Sequence, residues 1–132
     1  MTVATHLMFQ NGQAATALDL YRAVFPGFAV ISIARYGPDD AVPGQIKTAE
    51  IDFAGHRLIV IDSPISHAFD FTPSVSLFVN FAGVEELDDA FDKLAVDGEV
   101  LMPLGAYGFS ARFGWLTDRF GVSWQLNLPT SA

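Results

Sequence analysis

Apolar and polar positions alternate over residues 5–10, the pattern of a strand with one buried face, and the turn pair Asn11-Gly12 closes it. Over 14–25 the period lengthens to that of a helix: Ala17, Leu20, Tyr21, Val24 and Phe25 fall on one side, and Pro26-Gly27 ends the run. Alternation returns in the β-branched stretch 29–36, lapses in a Pro/Gly/Asp loop at 37–44, and resumes in a hairpin over 50–62. The order strand, helix, three strands then recurs. A strand over 75–81 precedes a helix over 84–95, with Val84, Leu87, Phe91 and Leu94 on one side. Glu85 and Glu86 suit the positive end of that helix dipole. Strands over 99–104, 111–117 and 122–128 follow.

The two closing hairpins share a plan. Ile51-Asp52-Phe53-Ala54-Gly55-His56-Arg57-Leu58-Ile59-Val60 and Gly114-Trp115-Leu116-Thr117-Asp118-Arg119-Phe120-Gly121-Val122-Ser123-Trp124-Gln125-Leu126 both run from a strand into a turn ending in Gly, then into an alternating strand. The expected architecture is α+β, a tandem pair of βαβββ units: unit one 1–62, a linker 63–73, and unit two 74–132. A shift of 70 takes Leu7 to Leu77, Phe9 to Val79, Tyr21 to Phe91 and Val24 to Leu94, and a shift of 66 takes Gly55 to Gly121, Leu58 to Trp124 and Val60 to Leu126. These matched residues are the expected core beneath the helices. Their neighbours along each strand point the other way. They are His6, Met8 and Gln10 matched by Ser76, Phe78 and Asn80, and Arg57, Ile59 and Ile61 matched by Ser123, Gln125 and Asn127. If the sheets curve together, these stripes line a concave cavity of mixed polarity. Four large apolar groups among them argue against a plain solvated face.

Composition narrows the function. With 51% hydrophobic and 17% charged residues over 132 positions, the chain is expected to form one compact globular domain. Twelve Phe, three Tyr and two Trp supply core enough without a disulfide or metal staple. The absence of cysteine excludes thiolate zinc sites and a Cys nucleophile, and it fits a reducing, cytoplasmic setting. Residues 1–6 lack the basic start and apolar run of a signal peptide, and no apolar run is long enough to span a membrane. A net charge of −8 without Lys/Arg clusters repels phosphate backbones, so no nucleic-acid partner is expected.

The tandem units, His6 placed fifteen residues before Tyr21, and the closing Asp118-x-x-Gly121-x-x-x-Gln125 strand resemble the vicinal oxygen chelate superfamily of glyoxalase I, extradiol dioxygenases and bleomycin-resistance proteins. Met102-Pro103-Leu104, Phe109-Ser110 and the run from Gly114 to Gln125 resemble its PhnB-like branch, over nearly the whole chain. Part of that branch carries a demethylubiquinone methyltransferase label. The chain has no Gly-rich strand-to-helix loop for a nucleotide-like methyl donor and is short for a doubly wound domain. By the resemblance, metal ligands fall at His6, Ile59, Ser76 and Gln125. Only His6 is a strong donor, whereas Ile59 has none and Ser76 and Gln125 are neutral, so no metal and no other cofactor is expected.

The expected contacts for a small organic molecule are therefore His6, Ile59, Ser76, Trp115 and Gln125, with no catalytic residue assigned. His6 is either a general base or a structural histidine. His56 and His67 are expected at the surface, Glu50 and Asp52 on a solvent-facing edge, and Asp118 in a turn. Trp124 is expected in the core, and Trp115 is free to stack on a ligand. The favoured reading is a homodimer that binds a small molecule without a metal. The alternatives are a glyoxalase-like isomerase or lyase, or a dioxygenase-type enzyme, with or without metal, and a module kept for dimerisation alone.

Overall fold

The computed structural model describes residues 1–130, and residues 131 and 132, at the end of the second expected unit, lie outside them. Among the described residues the elements are β1 (Thr5–Phe9), α1 (Ala14–Val24), β2 (Phe28–Arg35), β3 (Ile46–Phe53), β4 (His56–Asp62), β5 (Ser76–Asn80), α2 (Val84–Ala95), β6 (Glu99–Tyr107), β7 (Ser110–Thr117) and β8 (Ser123–Leu128). The chain divides into two compact units, Met1–Ala68 and Phe69–Ala132, each holding one βαβββ set. The strand orders are β1-β4-β3-β2 and β5-β8-β7-β6. In each sheet the first pair, β1 with β4 and β5 with β8, is parallel, and the other pairs are antiparallel.

In the first unit, α1 packs on β2 and β4. It buries Ala14, Ala17, Leu18, Tyr21 and Val24, positions three and four apart on one side. Leu18 rather than Leu20 completes that stripe, and Leu20 is only half-buried. Under the helix, Tyr21 meets Phe28 edge-on at 5.6 Å between centroids, and Phe53 lies 5.1 Å from Phe28 and 5.0 Å from Phe25. In the second unit, α2 buries Leu87, Ala90, Phe91 and Leu94, whereas Val84, its first residue, is exposed. Trp124, Leu116 and Leu126 are fully buried there. Gly114 is required by a close approach: a Cβ at that position would lie 2.4 Å from the Phe91 ring. Of the expected core, Leu77 and Val79 stay half-buried, on the outer strand β5.

The helix starts differ. In α2, Glu85 and Glu86 sit in the first turn, while α1 has no acidic residue there and no side-chain cap from Gln13. Asp62, the last residue of β4 and 1% exposed, supplies what α1 lacks: its Oδ1 accepts the Ala14 N–H at 2.9 Å. Its Oδ2 accepts the Ile46 N–H at 2.9 Å, which fixes the start of β3 four residues ahead of the expected Glu50.

The paired turns are relatives rather than copies. In the first, Phe53 faces His56 across Ala54-Gly55, both at positive φ, and the Asp52 carboxylate accepts the Gly55 N–H at 3.1 Å. In the second, Thr117 faces Ser123 across residues 118–122, and buried Asp118 accepts the Phe120 and Val122 N–H groups and, at 2.9 Å, the Trp124 indole N–H. β6 runs on to Tyr107, beyond the expected end at Leu104, although it contains Pro103 and Gly105. As the outer strand of its sheet it tolerates a proline, at the expense of register shifts along its pairing with β7.

Candidate ligand-binding faces

Strand alternation gives each sheet a face turned away from its helix. In the first unit, Leu58 and Val60 of β4 are buried on the helix side, and Ile59 and Ile61 point away, half-buried. Ile59 lies between His6 of β1 and Glu50 of β3, whose own outer neighbour is Ser32, so His6, Ile59, Glu50 and Ser32 form one row across the sheet. His6 is exposed. Glu50 and Asp52 are on an interior strand, not on the expected edge. Glu50 pairs with Arg57 at 3.4 Å between exposed groups, and Asp52 is taken up by the turn. His56 is exposed, with its Nε2 2.9 Å from the Thr5 hydroxyl. His67 is half-buried rather than at the surface: its Nε2 is 3.0 Å from Ser63 Oγ, and its backbone N–H is bound by Gln10 Oε1.

The second unit's helix-free face is a chain of neutral hydrogen bonds. Gln125 Nε2 donates to Ser76 Oγ at 3.1 Å, the Ser76 and Ser123 hydroxyls are 2.7 Å apart, and Trp115 Nε1 donates to Ser123 Oγ at 2.9 Å. Ser76 and Ser123 carry two hydroxyl hydrogens, and the bond between them uses one. The bond to Ser76 likewise uses one of two N–H donors on Gln125, and its carbonyl oxygen can accept. Farther along the same strands Asn127 donates to Asn80 Oδ1 at 2.8 Å and accepts from Ser110 Oγ.

Ser76, Trp115 and Gln125 are thus brought together in one unit, and His6 and Ile59 are direct neighbours in the other. The register differs from the expected repeat by two residues. His6 pairs with Ile59, but Ser76 pairs with Ser123, and Gln125 lies opposite Phe78, so Gln125 reaches Ser76 diagonally. Phe109 stood out in the sequence only through the family resemblance, and its grouping with Tyr107 and Phe113 was not predicted. Phe113 stands two residues before Trp115 on the same strand, and that alternation was the available signal.

The donor set does not suit a divalent metal. The first unit's pair offers one imidazole beside an aliphatic side chain, and the second unit's pair offers a neutral hydroxyl and amide bonded to each other. Among the described residues no three His, Cys, Asp or Glu side chains are grouped to hold a metal ion. Among the same residues, no helix is long and apolar enough to cross a membrane.

The architecture is that of the vicinal oxygen chelate superfamily, with its α+β, glyoxalase/bleomycin-resistance-like fold. A solved structure of the fosfomycin resistance protein FosX from Listeria monocytogenes matches over 98% of this chain and 93% of its own, with a TM-score of 0.65 at 13% identity, which bears on the fold alone. Within that class the chain belongs to the family described as 3-demethylubiquinone-9 3-methyltransferase, whose model matches residues 1–127. It is similar to a Bacillus cereus structure described as a putative 3-demethylubiquinone-9 3-methyltransferase, PhnB protein, with a TM-score of 0.91 and 43% identity over 97% of this chain and 99% of that one. Protein YjdN of Escherichia coli (strain K12) is 31% identical over 91 residues, which make up 69% of this chain and 58% of YjdN. The chain therefore matches little more than half the length of that relative. The activity in the family description does not follow from the fold. The loops entering α1 and α2 hold one glycine each, Gly12 and Gly83, not the Gly-rich turn that cradles a nucleotide-like methyl donor.

Proposed function

We propose that this protein binds a small organic molecule without a bound metal, using the helix-free faces of its sheets. The observation that carries the reading is the chain Trp115–Ser123–Ser76–Gln125, whose remaining donors and acceptor sit beside aromatic surface. Small-molecule sites combine apolar walls with a few placed polar groups in this manner. On the first unit's corresponding face the reading assigns ligand contact to His6, as a hydrogen-bonding group, and to Ile59, as apolar surface. The working form is a homodimer, because β1, β2, β5 and β6 each have a neighbour on one side only, and such edges are usually paired or covered. The absence of cysteine favours the cytoplasm, and the net charge of −8 disfavours nucleic acid as a partner.

Two measurements on protein purified without chelators test this reading. Elemental analysis is expected to find zinc, nickel, iron and manganese well below one per chain. A stoichiometric metal that disappears in His6→Ala would overturn the metal-free reading. Native mass spectrometry is expected to find a copurifying small molecule that is lost in Gln125→Leu. A mass unaffected by Gln125→Leu, or no adduct together with no thermal stabilisation by any member of a compound library, counts against ligand binding.

A further inference from the structure

Four aromatic rings form a connected group on the second unit's helix-free face. Phe113 is at its centre, 3% exposed, with Phe109 at 5.0 Å, Tyr107 at 5.9 Å and Phe78 at 6.3 Å between ring centroids. Tyr107 and Phe109 stack within 15° of parallel, and the Tyr107 hydroxyl is tied to the Pro103 carbonyl at 2.6 Å, which leaves its ring as the available surface. Phe78 and Phe109 are 53% and 65% exposed. Phe78 is the direct cross-strand neighbour of Gln125, so bare aromatic surface and an amide with hydrogen-bonding capacity are adjacent.

Charge is sparse in the same place, and the row of the two serines, Ser76–Ser123–Thr117–Glu99, reaches a carboxylate only at its far end on β6. The rows Phe78–Gln125–Trp115–Met102 and Asn80–Asn127–Phe113–Gly105 contain no ionisable side chain. Arg112, next to Phe113 on β7, is held by the Asp88 carboxylate of α2 at 2.6 Å. An anion placed here would be stripped of water with no cation to receive it, on a chain of net charge −8. A cation would find no carboxylate on those two rows, and on the serine row only Glu99 of the outer strand β6. Flat rings, in contrast, gain from offset or edge contacts with aromatic side chains beyond their burial alone.

We propose that the ligand of this face is an uncharged, flat aromatic molecule that stacks on Phe78 and Phe109 and turns a carbonyl- or amide-bearing edge to Gln125 and the Ser76 hydroxyl. This assignment of ligand class rests on the ligand-binding reading above. Three probes separate its parts: 2-naphthamide, the anionic 2-naphthoate of the same ring and size, and the saturated decahydro-2-naphthamide, which keeps the amide but not the flat ring. Isothermal titration of the full chain is expected to show 2-naphthamide binding, with the other two each about tenfold weaker or more. Phe78→Ala and Phe109→Ala, at exposed positions and checked for folding by circular dichroism, are each expected to weaken 2-naphthamide several-fold.

Equal affinity for 2-naphthoate or for the saturated amide, no effect of either phenylalanine variant, or no binding of 2-naphthamide overturns the proposal. If the ligand class fails but a copurified mass still disappears in Gln125→Leu, ligand binding stands. If that mass is also unaffected, both fall.

Discussion

Replacing Asp62 tests how much of the first unit depends on one carboxylate. Asp62 is 1% exposed, and it bonds the backbone N–H groups of Ala14 and Ile46, residues that are themselves 0% exposed, each at 2.9 Å. A hydrogen bond to a charged acceptor is worth about 1.5–3 kcal/mol net, and a buried donor left unpaired loses about 1–3 kcal/mol. Asp62→Ala removes both bonds but also relieves the cost of burying a charge, so a loss of about 2–4 kcal/mol is expected. Asp62→Asn keeps one acceptor oxygen and turns an NH2 toward the other amide, so about 1–3 kcal/mol is expected. With a urea slope of about 2 kcal/mol/M, the alanine variant should unfold about 1–2 M earlier. Amide hydrogen exchange should accelerate most at Ala14 and Ile46. Two variants within about 0.5 kcal/mol of the parent, the ordinary range for surface substitutions, would refute the reasoning. So would an alanine variant more stable than the asparagine one.

Two further outcomes follow from packing and topology. Gly114→Ala places a methyl 2.4 Å and 2.9 Å from Phe91 ring atoms and 3.0 Å from Leu104. It should cost about 1–3 kcal/mol by denaturant titration, part of which a second substitution, Phe91→Leu, restores. An unchanged midpoint would mean that the ring moves aside freely. Light scattering at tens of micromolar should give twice the chain mass, and a monomer would remove the dimer from the proposed function.

The order of elements was legible because the sequence changes period at each boundary, from two along the strands to about 3.6 along 14–25 and 84–95. The helix-facing residues Leu58, Val60, Trp124 and Leu126 followed from alternation alone. Periodicity was less decisive where two leucines flank the stripe: Leu18 and Leu20 compete for the helix's inner side, and only packing against β2 and β4 chooses Leu18. Pro103 and Gly105 read as breakers, because a sequence does not reveal that their strand lies at a sheet edge where both are tolerated. The two-residue register difference was hidden for a related reason. Pairing between β5 and β8 is set by long-range backbone bonds, and a slip of two keeps every side chain on its own face. The contacts of Gln125 were therefore half legible: its face and its grouping with Ser76 were, and its cross-strand neighbour Phe78 was not. The clustering of Tyr107, Phe109 and Phe113 was not legible beyond the alternation of Phe113 with Trp115, because Tyr107 and Phe109 lie at a turn whose geometry brings their rings to Phe113.

The dependence of α1 on Asp62 also bears on when the helix can form. A short helix is marginal until something outside it satisfies its ends, and its first turn is the costly step. In α2 the acidic residues are already in that first turn, so its dipole is answered locally as soon as the segment exists. In α1 the acceptor stands 48 positions later in the chain, beyond β2 and β3. During synthesis the first half must emerge through its last strand before its helix gains that acceptor, and a loop of that length has to close first. The two halves share a pattern, yet the earlier-made one has the longer wait.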